Sequence, residues 1–204
     1  MVLYDLERSG NCYKIRLMLA LLGVEYERKA VDLAGGELNS EVFLRLNPRG
    51  QVPVLVDGEA VIWDSTAVLV YLARKLGGET WLPMEPGAMA AVMQWLALEQ
   101  NEGRYGLARA RAVTLKLASP FATSGRMEEC LDFARVALDA LEQRLAKHPW
   151  LASTTHPTIA DIACYPYAAL APDAGIDLAP YESVRRWFAG LESLPGYVPL
   201  PGRS

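Results

Sequence analysis

Residues 2–31, VLYDLERSGNCYKIRLMLALLGVEYERKAV, carry the reading that decides the fold. A short β-prone run over residues 2–6 comes first. Asn11 to Leu22 follows, with Ile15, Met18, Leu19 and Leu22 spaced as the apolar face of a helix, and Gly23 supplies a stop. Tyr26 to Val31 returns to a strand-like alternation. A strand, a crossover helix and a second strand place the two strands parallel, since a connection of this length is what parallel pairing needs.

Outward from this unit, a Gly35-Gly36 loop leads to a short helix predicted over Glu41 to Leu46, capped by Asn39 or Ser40 and ended by Asn47-Pro48. Pro53 to Val56 and Glu59 to Trp63 flank Asp57-Gly58, a dipeptide suited to a type I′ hairpin turn. Ala67 to Leu76 reads as helix, stopped by Gly77-Gly78. The order β-α-β, short helix, β-β-α predicts a mixed sheet with helices on its faces, an order shared with the thioredoxin fold. Residues 79–87 hold two prolines and break the periodicity, so the linker is placed there.

Only helical patterns follow. Ala88 to Leu117 is long and Ala-rich, with Pro120 and Gly125 as its end. Met127 to Leu145 puts Cys130, Ala134, Ala137, Leu138, Leu141 and Leu145 on one stripe. Thr158-Ile159-Ala160-Asp161 reads as a capping box, and Tyr181 to Leu194 closes the set before Pro195-Gly196. The expected division is an α/β domain over 1–78, a linker over 79–87 and an all-α domain over 88–204.

Composition narrows the function. At 204 residues, 51% hydrophobic and with five Trp and nine Tyr, the chain can bury enough surface to fold, which excludes disorder. A net charge of −4 lacks the basic footprint of a nucleic-acid binder. Cys12, Cys130 and Cys164 form no CxxC pair and no zinc spacing, a sparse set that suits a reducing cytoplasm. His148 and His156 have no clustered ligands around them, so no metal is expected. Asp5 leaves no room for a signal-peptide core, and no apolar run nears the roughly 20 residues of a membrane span.

Four places could carry chemistry, and each has a plain structural reading beside the functional one. Ser9 and Asn11 are good helix caps; the alternative is that they and the first helical N–H groups face an anion. Asn47-Pro48-Arg49-Gly50-Gln51-Val52-Pro53 either opens a strand with a tolerated proline or holds a cis Val52-Pro53 bond. The cis form would turn the Val52 backbone outward to pair with an extended peptide. Asp64-Ser65 is an N-cap that could also take the ammonium and carboxylate of an amino-acid end. Cys12, at a helix start, is placed for a lowered thiol pKa, yet Ile15 stands where a resolving cysteine would be.

RSGNCYKIRL, NPRGQVPVL, WDSTAVLVYLA, TIAD and LPGYVPL, in this order and spacing, resemble the glutathione S-transferase family over nearly the whole chain, with the bacterial, serine-type, theta-, zeta- or nu-like members as the match. The resemblance implies glutathione as cosubstrate rather than a bound cofactor, and a small hydrophobic electrophile as second substrate. It implies Ser9 or Asn11 as the donor to the glutathione sulfur, Gln51 and Val52 on the cysteinyl part with Pro53 as cis-proline, and Asp64-Ser65 on the γ-glutamyl end. Leu38 and Asn39 lie where many relatives place a Lys, His or Gln for the glycyl carboxylate, so that contact is unassigned. It further implies a homodimer in which Gln100 or Asn101 of the partner subunit nears the γ-glutamyl amine. Arg104 and Tyr105 are the candidates for the second-substrate pocket. Glutathione-dependent peroxidase or disulfide reductase activity, or a non-catalytic binding module, are the alternatives.

A free thiol titrates near about 8.5, so lowering it by about two units takes roughly 2.7 kcal/mol. A hydrogen bond to the charged sulfur supplies about 1.5–3 kcal/mol and a helix N-terminus about 0.3–1 kcal/mol. Ser9 with the helix start therefore suffices without a general base, and Ser9 itself stays protonated.

Overall fold

The computed structural model describes residues 1–117 and 126–202. Four strands, β1 (Val2–Asp5), β2 (Glu27–Ala30), β3 (Val54–Asp57) and β4 (Ala60–Trp63), form one sheet in the order β2-β1-β3-β4. β1 and β2 are parallel across helix α1 (Gly10–Leu21), while β3 runs antiparallel to both β1 and β4. A short helix α2 (Glu41–Leu46) precedes the hairpin, and α3 (Ser65–Leu72) follows it. Ser40 is the α2 cap, accepting from the Phe43 N–H. This is the predicted mixed sheet, with the predicted topology.

The hairpin differs from its expected form. Asp57 pairs with Ala60, so the turn residues are Gly58 and Glu59, one place along from Asp57-Gly58. Among the described residues only Gly58 of the two has positive φ, the pattern of a type II′ turn rather than I′. Asp57 is thereby kept as a strand end, where its carboxylate accepts from the Tyr71 hydroxyl and Lys75.

Residues 79–87 are not a plain connector. A single helical turn, α4 (Gly78–Trp81), lies at their start, and α5 (Pro86–Leu98) begins before the expected Ala88. Pro86 fits the first helical turn because its missing N–H would have no partner there, and Glu85 caps the Gly87 and Ala88 N–H groups. The helix then continues with π-type winding over Glu99–Ala108 into α6 (Arg109–Thr114). The expected stops at Pro120 and Gly125 lie outside the described residues. Helices α7 (Met127–Leu145), α8 (Ile159–Ala169) and α9 (Glu182–Glu192) complete the set. The six stripe residues of α7 are its buried ones, as the spacing predicts.

Gly106 sets how closely the winding helix meets α7: a Cβ there would stand 2.4 Å from the Ala134 backbone nitrogen. One apolar core spans both halves, joining Leu3, Ile15 and Leu69 to Leu96, Ile162 and Tyr165. Thr158 and Asp161 make the predicted capping box at the start of α8, inside that core.

Candidate functional site

The site forms where the ends of β1, α1 and α3 meet the winding helix, around a cleft of about 470 Å³. β1 ends in Asp5, buried and ion-paired with Arg16 and Arg28. Arg16 also donates to the Leu6 and Glu7 carbonyls, at 3.3 and 2.7 Å, pinning the loop that presents Ser9. Ser9 is the N-cap of α1, and its Oγ accepts from the Cys12 N–H at 3.3 Å. That contact uses a lone pair and leaves the hydroxyl proton for another acceptor.

Asn11 lines the same cleft two residues along. Its Oδ1 accepts from Lys14 Nζ at 2.9 Å and from Ser65 Oγ at 3.4 Å. An ammonium can only donate, so this contact settles which end of the amide is oxygen and leaves the two N–H donors of Asn11 for the cleft. Lys14 is itself fully buried, held by an ion pair at 2.5 Å to Glu99 of the winding helix. A buried charge needs such a partner, and here the partner belongs to the other half of the chain.

The second wall is the loop before β3. Asn47, buried, donates from Nδ2 to the Gln51 carbonyl at 2.6 Å and accepts the Arg49 N–H at 3.0 Å, which fixes the loop. Gln51, Val52 and Pro53 line the cleft, and the Val52-Pro53 bond is cis. Asp64 and Ser65 line it too. Asp64 caps α3 through the Thr66 N–H at 2.9 Å, with φ of 74°, a backbone region costly for a residue with a Cβ. Its other oxygen faces Arg49 at 3.3 Å.

Seven sequence-predicted residues, Ser9, Asn11, Gln51, Val52, Pro53, Asp64 and Ser65, thus share one cleft. Arg104 lines it as well, and so does this chain's own Gln100, which was expected to approach from a partner subunit; Gln100 donates to Thr66 Oγ1 at 2.7 Å and accepts from Arg104 at 3.4 Å. Asn101 is exposed and bonds to Glu102, and Tyr105 is 41% exposed; neither is part of the cleft wall. Leu38 belongs to the wall and Asn39 does not.

Cys12 departs from the expectation of a lowered thiol pKa. It is fully buried, off the cleft wall, with Sγ accepting from the Leu6 N–H. Burial, with Asp5 nearby, pushes the thiol up to about 12, outweighing the helix start and the Ser9 contact. Cys130 and Cys164 are buried as small apolar groups. No group of three or more metal-ligating side chains occurs among the described residues.

Lys14, Glu99, Arg49, Arg111 and Tyr167 were not among the expected site residues. Lys14 and Glu99 carry no local pattern, since 85 positions separate them. The signal for Arg49 lay in the NPRG run itself, and that for Arg111 in its helical spacing from Arg104. Tyr167 reaches the cleft because Gly10 is opposite: a Cβ at Gly10 would stand 2.8 Å from its ring.

The family model described as "Glutathione S-transferase, N-terminal domain" matches residues 1–74, and the C-terminal domain model matches residues 128–190. The disulfide-bond oxidoreductase YfcG of Escherichia coli is 33% identical over 195 residues, covering 92% of this chain and 88% of its own. A glutathione S-transferase structure from Pseudomonas fluorescens is 39% identical, covers 98% of both chains and superposes with a TM-score of 0.85. A glutathione transferase homolog from Drosophila mojavensis, solved with bound glutathione, is 29% identical over 95% of this chain and 88% of its own, with a TM-score of 0.83.

Proposed function

We propose, for a chain that belongs to the glutathione S-transferase family, that it binds glutathione in this cleft, stabilises its thiolate and directs it at a small hydrophobic electrophile. The observation that carries the proposal is the convergence of a helix start, the Ser9 hydroxyl and the oriented Asn11 amide on one end of a cleft. The Asp64-Ser65 helix start lines the same cleft beside them, with Ser65 Oγ donating to Asn11 Oδ1 at 3.4 Å.

In this mechanism the γ-glutamyl end lies at Asp64 and Ser65, with its ammonium on the Asp64 carboxylate and its carboxylate at the α3 start. The cysteinyl backbone pairs with Val52 beside Gln51, as an added strand would. The sulfur then sits before Ser9 and Asn11, which donate hydrogen bonds to the thiolate, and the released proton goes to solvent. The thiolate attacks the electrophilic carbon; a carbon–sulfur bond forms and the leaving group departs with its electron pair. The protein's contribution is a larger thiolate fraction and a fixed approach.

A second reading has its own support. The oriented Asn11 amide, together with 33% identity to an Escherichia coli disulfide-bond oxidoreductase, favours glutathione-dependent reduction of a disulfide. There the thiolate attacks one sulfur, the other sulfur leaves as a thiol, and a second glutathione releases the product and oxidised glutathione. Both readings use glutathione as a cosubstrate, and both are consistent with a cytoplasmic homodimer. Among the described residues no helix is long and apolar enough to cross a membrane.

The test compares conjugation of a chloronitrobenzene with reduction of a small disulfide, in wild type, Ser9→Ala and Asn11→Ala. Conjugation that falls by about tenfold or more in Ser9→Ala supports the transferase. Disulfide reduction with negligible conjugation, lost mainly in Asn11→Ala, supports the reductase. Undiminished turnover of both substrates in both variants would remove the two donors from the mechanism.

A further inference from the structure

The winding helix and α6 present one face to the cleft. Gln100, Arg104, Ala108, Arg111 and Ala112 recur at helical spacing along it, and all line the cavity. This face borders the same cavity as the residues assigned to glutathione, so a second substrate held beside the thiol meets it. Two alanines leave room, and two arginines supply the polar groups.

Arg111 is the unusual member. It is 2% exposed, yet it lines the cavity. Its Nε donates to Asp173 at 2.8 Å and its Nη1 to the Arg8 carbonyl at 3.4 Å. Its Nη2 is buried and has no hydrogen-bond partner among the described residues. Buried polar atoms are nearly always paired, so an arginine held by two partners with a third nitrogen unsatisfied is poised for an acceptor that binds later. The acids of the cavity wall do not meet that need. Glu7 pairs with Arg28, Asp64 with Arg49 and Glu99 with Lys14. Arg8 and Arg104 line the same cavity and raise its positive potential.

We propose that this helical wall is a carboxylate-binding subsite anchored by Arg111, so that the second substrate is an organic acid with a small apolar body. The guanidinium is matched to such a group because it donates from a fixed fork that a carboxylate accepts with two oxygens. The subsite rests on the glutathione reading above, which it narrows from any hydrophobic electrophile to an anionic one. A purely structural Arg111, tying α6 to the Ala171–Ala174 turn and the Arg8 loop, would serve charged and neutral substrates alike.

The deciding experiment uses a chloronitrobenzoate and its methyl ester, each enzymatic rate divided by the uncatalysed rate with glutathione. Wild type is expected to accelerate the acid about tenfold more than the ester, and Arg111→Gln to bring that ratio to about one. Arg111→Lys, which keeps charge without the fork, should recover part of it. A wild-type ratio of one or below, or an undiminished ratio in folded Arg111→Gln, overturns the proposal. Benzoate and benzamide titrated calorimetrically into glutathione-loaded wild type give a check that needs neither turnover nor a variant. Benzoate should bind and benzamide should not; equal binding, or none by benzoate, overturns the subsite. If glutathione itself fails to bind in calorimetry, the glutathione reading falls and takes the subsite with it.

Discussion

Two aspartates sit at two helix starts and have opposite surroundings. Asp161, at the start of α8, is fully buried and accepts from four donors: the Thr158 and Leu151 N–H groups, the Thr158 hydroxyl and the Trp187 indole. Asp64, at the start of α3, is 24% exposed and lines the cleft, with one N–H and one guanidinium as partners. Asp161 has its acceptors filled from inside the protein, and its role ends at holding α8 against the core. Asp64 keeps capacity for something from outside, and its backbone is held at φ of 74°. The same capping chemistry is thus used up within the fold at Asp161 and leaves acceptor capacity open to the cleft at Asp64.

The contrast has measurable consequences. Asp161→Ala strands three buried N–H donors, so chemical unfolding should show a loss of about 3 kcal/mol or more. A loss under about 1 kcal/mol would break the distinction. Asp64→Ala removes a cap and costs about 1 kcal/mol in the same assay, but glutathione affinity should fall about tenfold or more by calorimetry. Asp64→Gly sharpens the point, because glycine tolerates the positive φ and is an adequate cap. Its stability should match wild type within about 0.5 kcal/mol or exceed it, while glutathione binding weakens as in the alanine variant. A glycine variant that binds glutathione normally would mean the carboxylate is only a cap.

The smallest expected effect concerns the thiols. Burial, as the chief cause, pushes the Cys12 thiol up to about 12 and raises that of Cys164 well above the usual thiol range. A raised thiol pKa leaves the group protonated at pH below that value, so the native protein should resist alkylation at mildly alkaline pH. In denaturant all three cysteines should label. Fast native labelling at Cys12 would restore it as a candidate nucleophile.

What could be read from the chain alone follows the range of the forces involved. The α7 stripe and the Thr158–Asp161 box are local patterns, set within one or two turns, and they stand as expected. The hairpin moved by one residue because Asp57-Gly58 marks a turn without stating which side of the glycine the strand ends. Pro86 looked like a helix breaker and is a helix opener, a difference that depends on the turn before it. Ser9, Asn11 and Asp64-Ser65 were visible as caps, and family resemblance is what proposes them as a site; the structure brings them to one cleft. The Lys14–Glu99 pair that orients Asn11 was invisible, because it exists only once two halves of the chain share a core. The Cys12 thiol went the other way: helix position suggested a lowered pKa, and burial beside Asp5, a tertiary fact, reversed it.

Every functional proposal above rests on glutathione binding in this cleft with its thiolate stabilised by Ser9 and Asn11. An ultraviolet titration of the thiolate in the glutathione-loaded protein tests it most directly. The bound thiol is expected to titrate about two units below free glutathione, and about one unit or more higher than that in Ser9→Ala or Asn11→Ala. A bound thiol that titrates like free glutathione, in wild type as in both variants, would contradict it.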